Sequence, residues 1–413
     1  MSSIEQLQES LLSEAQVGYG GSTASVHGGT SRHKAFHALH TPIVQTATYT
    51  FENTQDLIDF MESKTWGNGS EREEYGRYGN PTVSAVEKKL AALDRGADAV
   101  LYASGMSAMT SLLLTILPSG SHVIMTDDCY RRTRQFVLTW LKRFGIETTV
   151  VPMGDYAALE AAIIPKKTRF IISESPTNPY LRVADLEKLA ELGQRYKVRT
   201  VIDSTFATPI NQHPIEYGID FVVHSATKYL SGHNDIMAGV VVGGDAGRMS
   251  ALRDARGVLG GVLDPHTAYL LDRGIRTLGV RVRQQNQSAQ AVAEFLEGHP
   301  AIERVWYPGL ASHPDHSVAV QQMGGFGGVV SFETRADLMT TAKFIDAMQI
   351  PYISPSLGGV ESLIQQPAIM SFYEKSPEER AELGIKDNLV RFAVGIEDTQ
   401  DLLDDLAQAL KQL

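Results

Sequence analysis

Cysteine is almost absent. Cys129 is the only one, so no intrachain disulfide can form and cysteine-based structural zinc sites are excluded, a composition that suits a reducing compartment. Long apolar runs are lacking too. The longest, the Leu-rich piece around Leu112 to Leu117, falls well short of the ~20 residues that cross a bilayer, so no membrane span is expected. Basic residues are in deficit, with 37 Lys and Arg against 48 Asp and Glu and a net charge of −11. Phosphate repels such a surface, which argues against broad nucleic-acid binding and leaves room only for a local basic pocket. The opening MSSIEQLQESLLSEAQ lacks the basic and apolar regions of a secretory signal and reads as a short amphipathic helix. The cytoplasm is the expected location, with a plastid left open if a transit peptide has been removed. Solenoid-period repeats and low-complexity tracts are also missing.

What is present is the material of a large folded chain: 413 residues, 43% hydrophobic and 21% charged. That exceeds one ordinary core, so a main domain and a smaller one are expected. From about Asp98 onward, apolar runs (AVLYAS, HVIMTD, ETTVVP, RFIISES, VRTVID, DFVVHS, AGVVVGG) alternate with helical patterns such as DLEKLAELGQRYK. This rhythm predicts an α/β domain whose mainly parallel sheet has helices on both faces. Near Arg281 the pattern changes to a long polar helix, RVRQQNQSAQAVAEFLEGH, followed by fewer strands (RVWYP, GGVVSFE, LVRFAVG). The expected division is an N-terminal arm over 1–65, a large domain over 66–280 and a smaller C-terminal α/β domain over 281–413. The arm, irregular and rich in Gly and His, needs a surface to lie on, and a neighbouring subunit is one candidate.

The strongest local signal is HSATK (224–228), where the strand DFVV ends and the chain turns. Ligands of open α/β sheets bind at the carboxyl ends of strands, so Lys228 points toward a crevice, flanked by the hydroxyls of Ser225 and Thr227. A lone lysine in a turn is ordinarily just solvated, so the weight comes from its companions. Asp203 ends the strand VRTVID; an isolated Asp there caps a turn, but it can also hold a protonated pyridine nitrogen. In YASGM (102–106) a strand stops before a helix, and Gly105 lets backbone N–H groups approach an anion. Tyr75 and Arg77 in EYGRYGNPT can grip a phosphate together, with a turn at Asn80-Pro81 beyond. Pro176 and Pro179 in SESPTNPYLR stiffen a loop that presents Asn178. Each feature alone fits a bland turn. An amine, an acid and phosphate donors at successive strand ends form a chemically complementary set.

These segments identify a resemblance. YGRYGNPT, ASGMSA, ESPTNP, HSATKYLSGH and PAIMS, in this order, resemble the fold-type I pyridoxal 5′-phosphate (PLP) enzymes of cysteine and methionine metabolism, from about His27 to the C-terminus. Within that family the likeness is to the plant-type cystathionine γ-synthases. The resemblance implies a fold-type I PLP-dependent transferase in which Lys228 binds the cofactor covalently and carries protons. By the same resemblance Asp203, with Thr205 beside it, pairs with the pyridine nitrogen, Tyr130 stacks on the ring and Asn178 reaches its hydroxyl. Gly105, Met106, Ser225 and Thr227 would bind the phosphate, helped by Tyr75 and Arg77 from a second subunit, Tyr75 also counting among the catalytic residues. Arg391 and Ser356 would grip the substrate α-carboxylate. A homotetramer of active-site dimers is implied, with amino acids as substrates. The implied reaction is γ-replacement joining L-cysteine to an O-phospho-, O-succinyl- or O-acetylhomoserine to give cystathionine, as in methionine biosynthesis. Sulfhydrylases, γ-lyases and β-lyases share nearly all these residues. One departure separates the branches: many bacterial members have Glu before the serine matching Ser356, whereas this chain has Pro355, in PYISPSLGG, as plant members do. Arg131, Arg132 and Arg134 beside Tyr130 then offer either a distal phosphate site or a solvated helix face.

Other chemistries fit less well. GMSAM differs from the G-x-S-x-G nucleophile elbow by Met109 at the second glycine. GGFGGVV lacks dinucleotide-loop spacing and runs into a strand, so close backbone packing explains it better. His27, His33, His37 and His40 are too loosely spaced to imply a metal, and none is expected. Cys129 reads as a small buried thiol in preference to a nucleophile. A silent relative keeping the fold for binding is opposed by the joint presence of Lys228, Asp203, Tyr130 and Arg391.

Overall fold

A computed structural model describes residues 19–66 and 72–413. The amphipathic helix expected at the extreme N-terminus lies outside the described residues. All seven expected runs of the first domain are strands: β1 Asp98–Tyr102, β2 His122–Thr126, β3 Glu147–Val151, β4 Thr168–Glu174, β5 Arg199–Asp203, β6 Phe221–His224 and β7 Gly239–Gly243. They form one sheet in the order β1-β7-β6-β5-β4-β2-β3. Five neighbouring strands, β6 to β3 across that order, run parallel, and β7 is antiparallel to both β6 and β1.

Both faces of the inner part of this sheet are covered, which is why most of its strands read as apolar runs, the edge strand β3 being only partly buried. Val222, Val240 and Val242 pack on one face with Leu90 and Leu93 of the helix Pro81–Leu93. Val223 and Val241 pack on the other with Leu112 and Leu113 of the helix Gly105–Ile116. Asn80-Pro81 is no free turn. Asn80 is the N-cap of that first helix, its side chain accepting from the N–H groups of Thr82 and Val83, and Pro81 takes the first helical position, where its missing N–H costs nothing.

The long helix Leu278–Glu297 leads to a second sheet of β8 Ile302–Trp306, β9 Val329–Thr334, β10 Tyr352–Ile353, β11 Leu363–Gln365 and β12 Leu389–Ala393. Its order is β10-β11-β12-β9-β8, antiparallel except for β10 with β11. One continuous apolar cluster joins Val222, Tyr229 and Leu230 to Leu278 and Val282, and on to Val330 and Phe392. Each fully buried Leu or Val contributes about 1.5–3 kcal/mol, so this seam fixes the small sheet against the loop that follows β6. The GGFGG segment is close-packed, as expected: a Cβ on Gly328 would lie 2.9 Å from the Gln285 Cβ, and one on Gly325 2.2 Å from the Asn286 amide.

The arm departs from the irregularity expected of it. It holds the helices Gly21–His27 and Thr54–Trp66. In the latter Leu57, Phe60 and Met61 stand at the i, i+3, i+4 spacing of a helix, yet only Phe60 is buried while Leu57, Ile58 and Met61 are exposed. Among the described residues, no helix is long and apolar enough to cross a membrane.

Candidate active site

The parallel order of β4, β5 and β6 brings their carboxyl ends side by side, and each ends on a titratable residue: Glu174, Asp203 and His224. Beyond β6 the chain makes a tight turn stapled to the start of β7. Thr227 Oγ1 donates to the Ala238 carbonyl at 3.1 Å and accepts from the Ala238 N–H at 3.0 Å. Ser225 N–H donates to Thr205 Oγ1 at 2.9 Å, and that hydroxyl donates onward to Asp203 Oδ1 at 2.5 Å. Asp203 also accepts from Thr205 N–H at 3.1 Å. Thr205 therefore ties the two strand ends together.

Gly105 opens the helix Gly105–Ile116 directly beneath this turn. Ser104 caps the Ser107 N–H, leaving the N–H groups of Gly105 and Met106 without an intrahelical partner. A Cβ on Gly105 would stand 2.9 Å from the Ser225 Cβ and 3.1 Å from its Oγ. Only glycine permits this approach, which places a serine hydroxyl over the positive end of a helix. That cradle suits a phosphate.

Lys228 follows on the same turn, and its Nζ donates to Ser356 Oγ at 2.6 Å. Burial, aided by the charge of Arg391, lowers the amine to about 8. Ser356 has a φ of 89°, a left-handed conformation that costs a non-glycine residue about 1–3 kcal/mol. The following Gly358, at φ 79°, lets the loop close onto Tyr229; a Cβ there would lie 2.7 Å from the Tyr229 nitrogen. Arg391, in the middle of β12, donates to the Ser356 carbonyl at 2.7 Å and to Asn178 Oδ1 at 3.3 Å. The Gln365 oxygen, in the amide orientation that satisfies both of its ends, accepts from Arg391 Nε at 3.0 Å and Nη2 at 2.8 Å. Arg391 is buried and, among the described residues, has no carboxylate partner. Burial lowers it to about 10. An anion is the missing complement of such a cation.

On the acid side, burial raises Asp203 against the hydrogen bonds from Thr205 that lower it. Glu174, its register partner across β4 and β5, is raised further by burial and by Asp203 itself. Glu174 accepts from the Tyr130 N–H at 2.7 Å, which pins the backbone of a tyrosine that is 40% exposed. Met106 receives a 3.9 Å contact from Thr133 Oγ1 to its sulfur. Cys129 is buried, 3.3 Å from Thr126 Oγ1, and burial pushes its thiol well up, the setting of a structural cysteine.

Lys228, Ser225, Thr227, Thr205, Asp203, Gly105, Met106, Asn178, Ser356 and Arg391 are thus linked through one neighbourhood. Tyr75 and Arg77 are not part of it. Tyr75 bridges Thr48, and Arg77 donates to the Gly257 carbonyl with its guanidinium 5.3 Å and 4.9 Å from the Tyr75 and Tyr78 rings. Of the three neighbouring arginines, Arg131 and Arg134 line a cleft of about 610 Å³ together with Tyr130, Asn178 and Lys386. Arg132 donates to Gln135 at 2.7 Å, and Arg134 also donates to the Asp127 carbonyl at 2.8 Å. Glu174, Gln365, His224 and its partner Asp94 carried no functional reading in the sequence. The one available signal was position, since Glu174 and His224 end strands just as Asp203 does.

The amine, the acid and the glycine-floored anion cradle fit PLP, whose aldehyde, ring nitrogen and phosphate need these groups. Comparison with known proteins agrees. The chain is 50% identical over 376 residues to cystathionine gamma-synthase 1, chloroplastic, of Nicotiana tabacum, covering 91% of this chain and 68% of the relative. It is 49% identical to the Arabidopsis thaliana protein of the same name over 91% of this chain and 66% of that one, so it spans about two thirds of both plant proteins. Among solved structures, metB from Corynebacterium glutamicum superposes with a TM-score of 0.88 at 36% identity, over 96% of this chain and 99% of that one. The profile of the Cys/Met metabolism PLP-dependent enzymes matches residues 22–411, and the chain belongs to that family.

Proposed function

We propose that this chain catalyses γ-replacement, joining L-cysteine to an O-activated homoserine to give cystathionine. The observation that carries the reading is Lys228 Nζ held on Ser356 Oγ beside the carboxylate-free Arg391, a reactive amine next to a ready α-carboxylate receptor. The likeness to plant synthases selects γ-replacement within the family. In the net reaction the Cγ–O bond breaks, a Cγ–S bond forms, and phosphate or the acyl acid departs with the thiol proton.

When bound, PLP supplies an electron sink that makes protons on the substrate's α- and β-carbons removable. Lys228, with an amine lowered to about 8, takes and returns those protons near neutral pH. Asp203 holds the ring nitrogen, Tyr130 covers the ring and Asn178 meets its hydroxyl. The N–H groups of Gly105 and Met106 and the Ser225 hydroxyl hold the phosphate. Thr227 joins them when its proton swings from the Ala238 carbonyl. Arg391 and Ser356 orient the α-carboxylate, while Arg131 and Arg134 face the distal group of the donor, O-phosphohomoserine being the favoured one. Tyr75 and Arg77, whose partners in their own chain are Thr48 and Gly257, complete the site of a second copy, and two such dimers form a tetramer. We also assign the arm to 1–65, the cofactor domain to 66–280 and the C-terminal domain to 281–413, and place the enzyme in the cytoplasm or, as for its chloroplastic relatives, a plastid.

The test supplies L-cysteine or sulfide with each of O-phospho-, O-succinyl- and O-acetylhomoserine and identifies products by mass spectrometry. Cystathionine is expected from cysteine. Keto acid and ammonia without cystathionine would turn the reading to a lyase, and homocysteine from sulfide alone to a sulfhydrylase. Shared sites predict that mixing Lys228→Ala with Arg77→Ala chains, each inactive by itself, restores part of the activity.

A further inference from the structure

His224 ends β6, four residues before Lys228, and is fully buried. Its Nε2 lies 3.0 Å and 3.2 Å from the two carboxylate oxygens of Asp94. Asp94 is fully buried as well, at the C-terminal end of the helix Pro81–Leu93. A carboxylate there faces the negative end of a helix and has lost its water, so it needs a donor or a cation to meet it. Two imidazoles are near enough. His213 also senses Asp94, but burial and Arg95 push it down toward the neutral form. His224 is the one in hydrogen-bond contact.

On its other side His224 senses Asp203, whose strand neighbour is Val223. Burial alone would lower the imidazole; the charges of Asp94 and Asp203 and a bond to the Ser204 backbone outweigh it and raise it instead. Asp203 in turn is crowded by Glu174. Two adjacent buried carboxyls do not both ionise cheaply, and only Asp203 has an imidazolium behind it. His224 thus stands between Asp94, at hydrogen-bond distance, and the end of β5 that carries Asp203.

We propose that His224, held by Asp94, is a positioning residue for the cofactor: it keeps the Asp203 carboxylate ionised and thereby keeps the proton on the ring nitrogen that Asp203 faces. This rests on the reading of Asp203 as the partner of that nitrogen. Without the imidazolium, the proton moves from the ring to Asp203, and the electron sink weakens.

The test uses holoenzyme loaded with PLP carrying ¹⁵N in the ring, at pH 7. In the wild type the nitrogen resonates as pyridinium. His224→Gln keeps a hydrogen bond to Asp94 without the charge, and its ring resonance is expected to move toward unprotonated pyridine, with PLP held about tenfold more weakly, equivalent to about one pKa unit. Asp94→Asn should do the same, and Asp94→Glu should restore the wild-type resonance. A folded, PLP-loaded His224→Gln whose ring nitrogen stays protonated overturns the proposal and leaves the pair a structural link. Asp203→Asn separates the two readings. An unmoved resonance there refutes the assignment of Asp203 itself, whereas movement there without movement in His224→Gln refutes only the role of His224. If His224→Gln does not fold, Asp94→Asn decides by the same criterion. A neutral His224 imidazole in the wild type at pH 7 would contradict the proposal in either case.

Discussion

The floor of the site, made by the large sheet, and its wall, made by the small sheet, handle buried polarity in opposite ways. On the floor the groups are already tied into the protein: Thr227 is closed onto Ala238, and Oδ1 of Asp203 is taken by Thr205. On the wall Arg391 is surrounded only by neutral acceptors, those of Ser356, Asn178 and Gln365. Arg281, also buried and without a carboxylate partner among the described residues, shows that this is not a general habit. Its guanidinium is spent on the carbonyls of Tyr229 and Gly274 and the Thr277 hydroxyl, bracing the turn that carries Lys228. In the proposed reading, the difference separates a pre-built cofactor bed from a receptor for a substrate's charge.

The comparison can be broken at several points. Lys228→Ala removes the one group that serves both sides, and turnover should fall by about 10²–10⁴-fold or more, the usual worth of a positioned acid–base group. Steady-state rates on a folded variant check this, and a rate within tenfold of wild type would remove Lys228 from the mechanism. Arg391→Met should cost about 1.5–3 kcal/mol, the range for a hydrogen bond to a charged group, or about 10–100-fold in kcat/KM. PLP affinity should hardly change. Loss of PLP with unaltered KM would reverse the assignment of floor and wall. Gly105→Ala does the opposite. Its Cβ would meet Ser225 at 2.9 Å, an overpacking worth about 1–3 kcal/mol, so PLP retention measured by dialysis should fall roughly tenfold while substrate KM on the loaded enzyme stays near wild type.

The smallest effect is a shift in pH. Lys228 is lowered from the ordinary 10.5 to about 8, so below that pH it is protonated and unreactive toward an aldehyde. Capture of PLP by the apoenzyme should therefore rise with pH, reach half its maximum near 8 and level off above. The sign for folding is the same. Between about 8 and 10.5 the unfolded chain holds the extra proton, so this group's contribution to stability increases with pH. Removing the charge of Arg391 in Arg391→Met should move the capture midpoint upward, because that cation helps to depress the amine. A midpoint that stays put would show that burial alone sets it.

Legibility in the sequence followed burial. While the edge strand β3, ETTVV, is only partly buried, the inner strands of the large sheet stand out because both of their faces are covered, so they read as apolar runs. Strands β10 and β11 do not, being two and three residues long, and Tyr352 and Ile353 of β10 are exposed. Lys228 and Asp203 drew a functional reading because strand ends of α/β sheets face ligands, and the structure places both at such ends. Glu174 occupies an equivalent end but carries no chemistry that a single carboxylate at a turn does not also carry. Asp94 lies 130 positions from His224, and no local pattern announces a pair that only the packing of the helix Pro81–Leu93 on the sheet creates. Arg391 shows the remaining limit. Its residue type is visible, while the lack of a carboxylate partner exists only in three dimensions.

The central claim is that Lys228 is where floor and wall meet on the cofactor. Borohydride reduction of the yellow holoenzyme, followed by digestion and mass spectrometry, tests it directly. The account predicts one pyridoxyl group per chain, on Lys228; a pyridoxyl group on another lysine, or none on a protein that binds PLP, would contradict it.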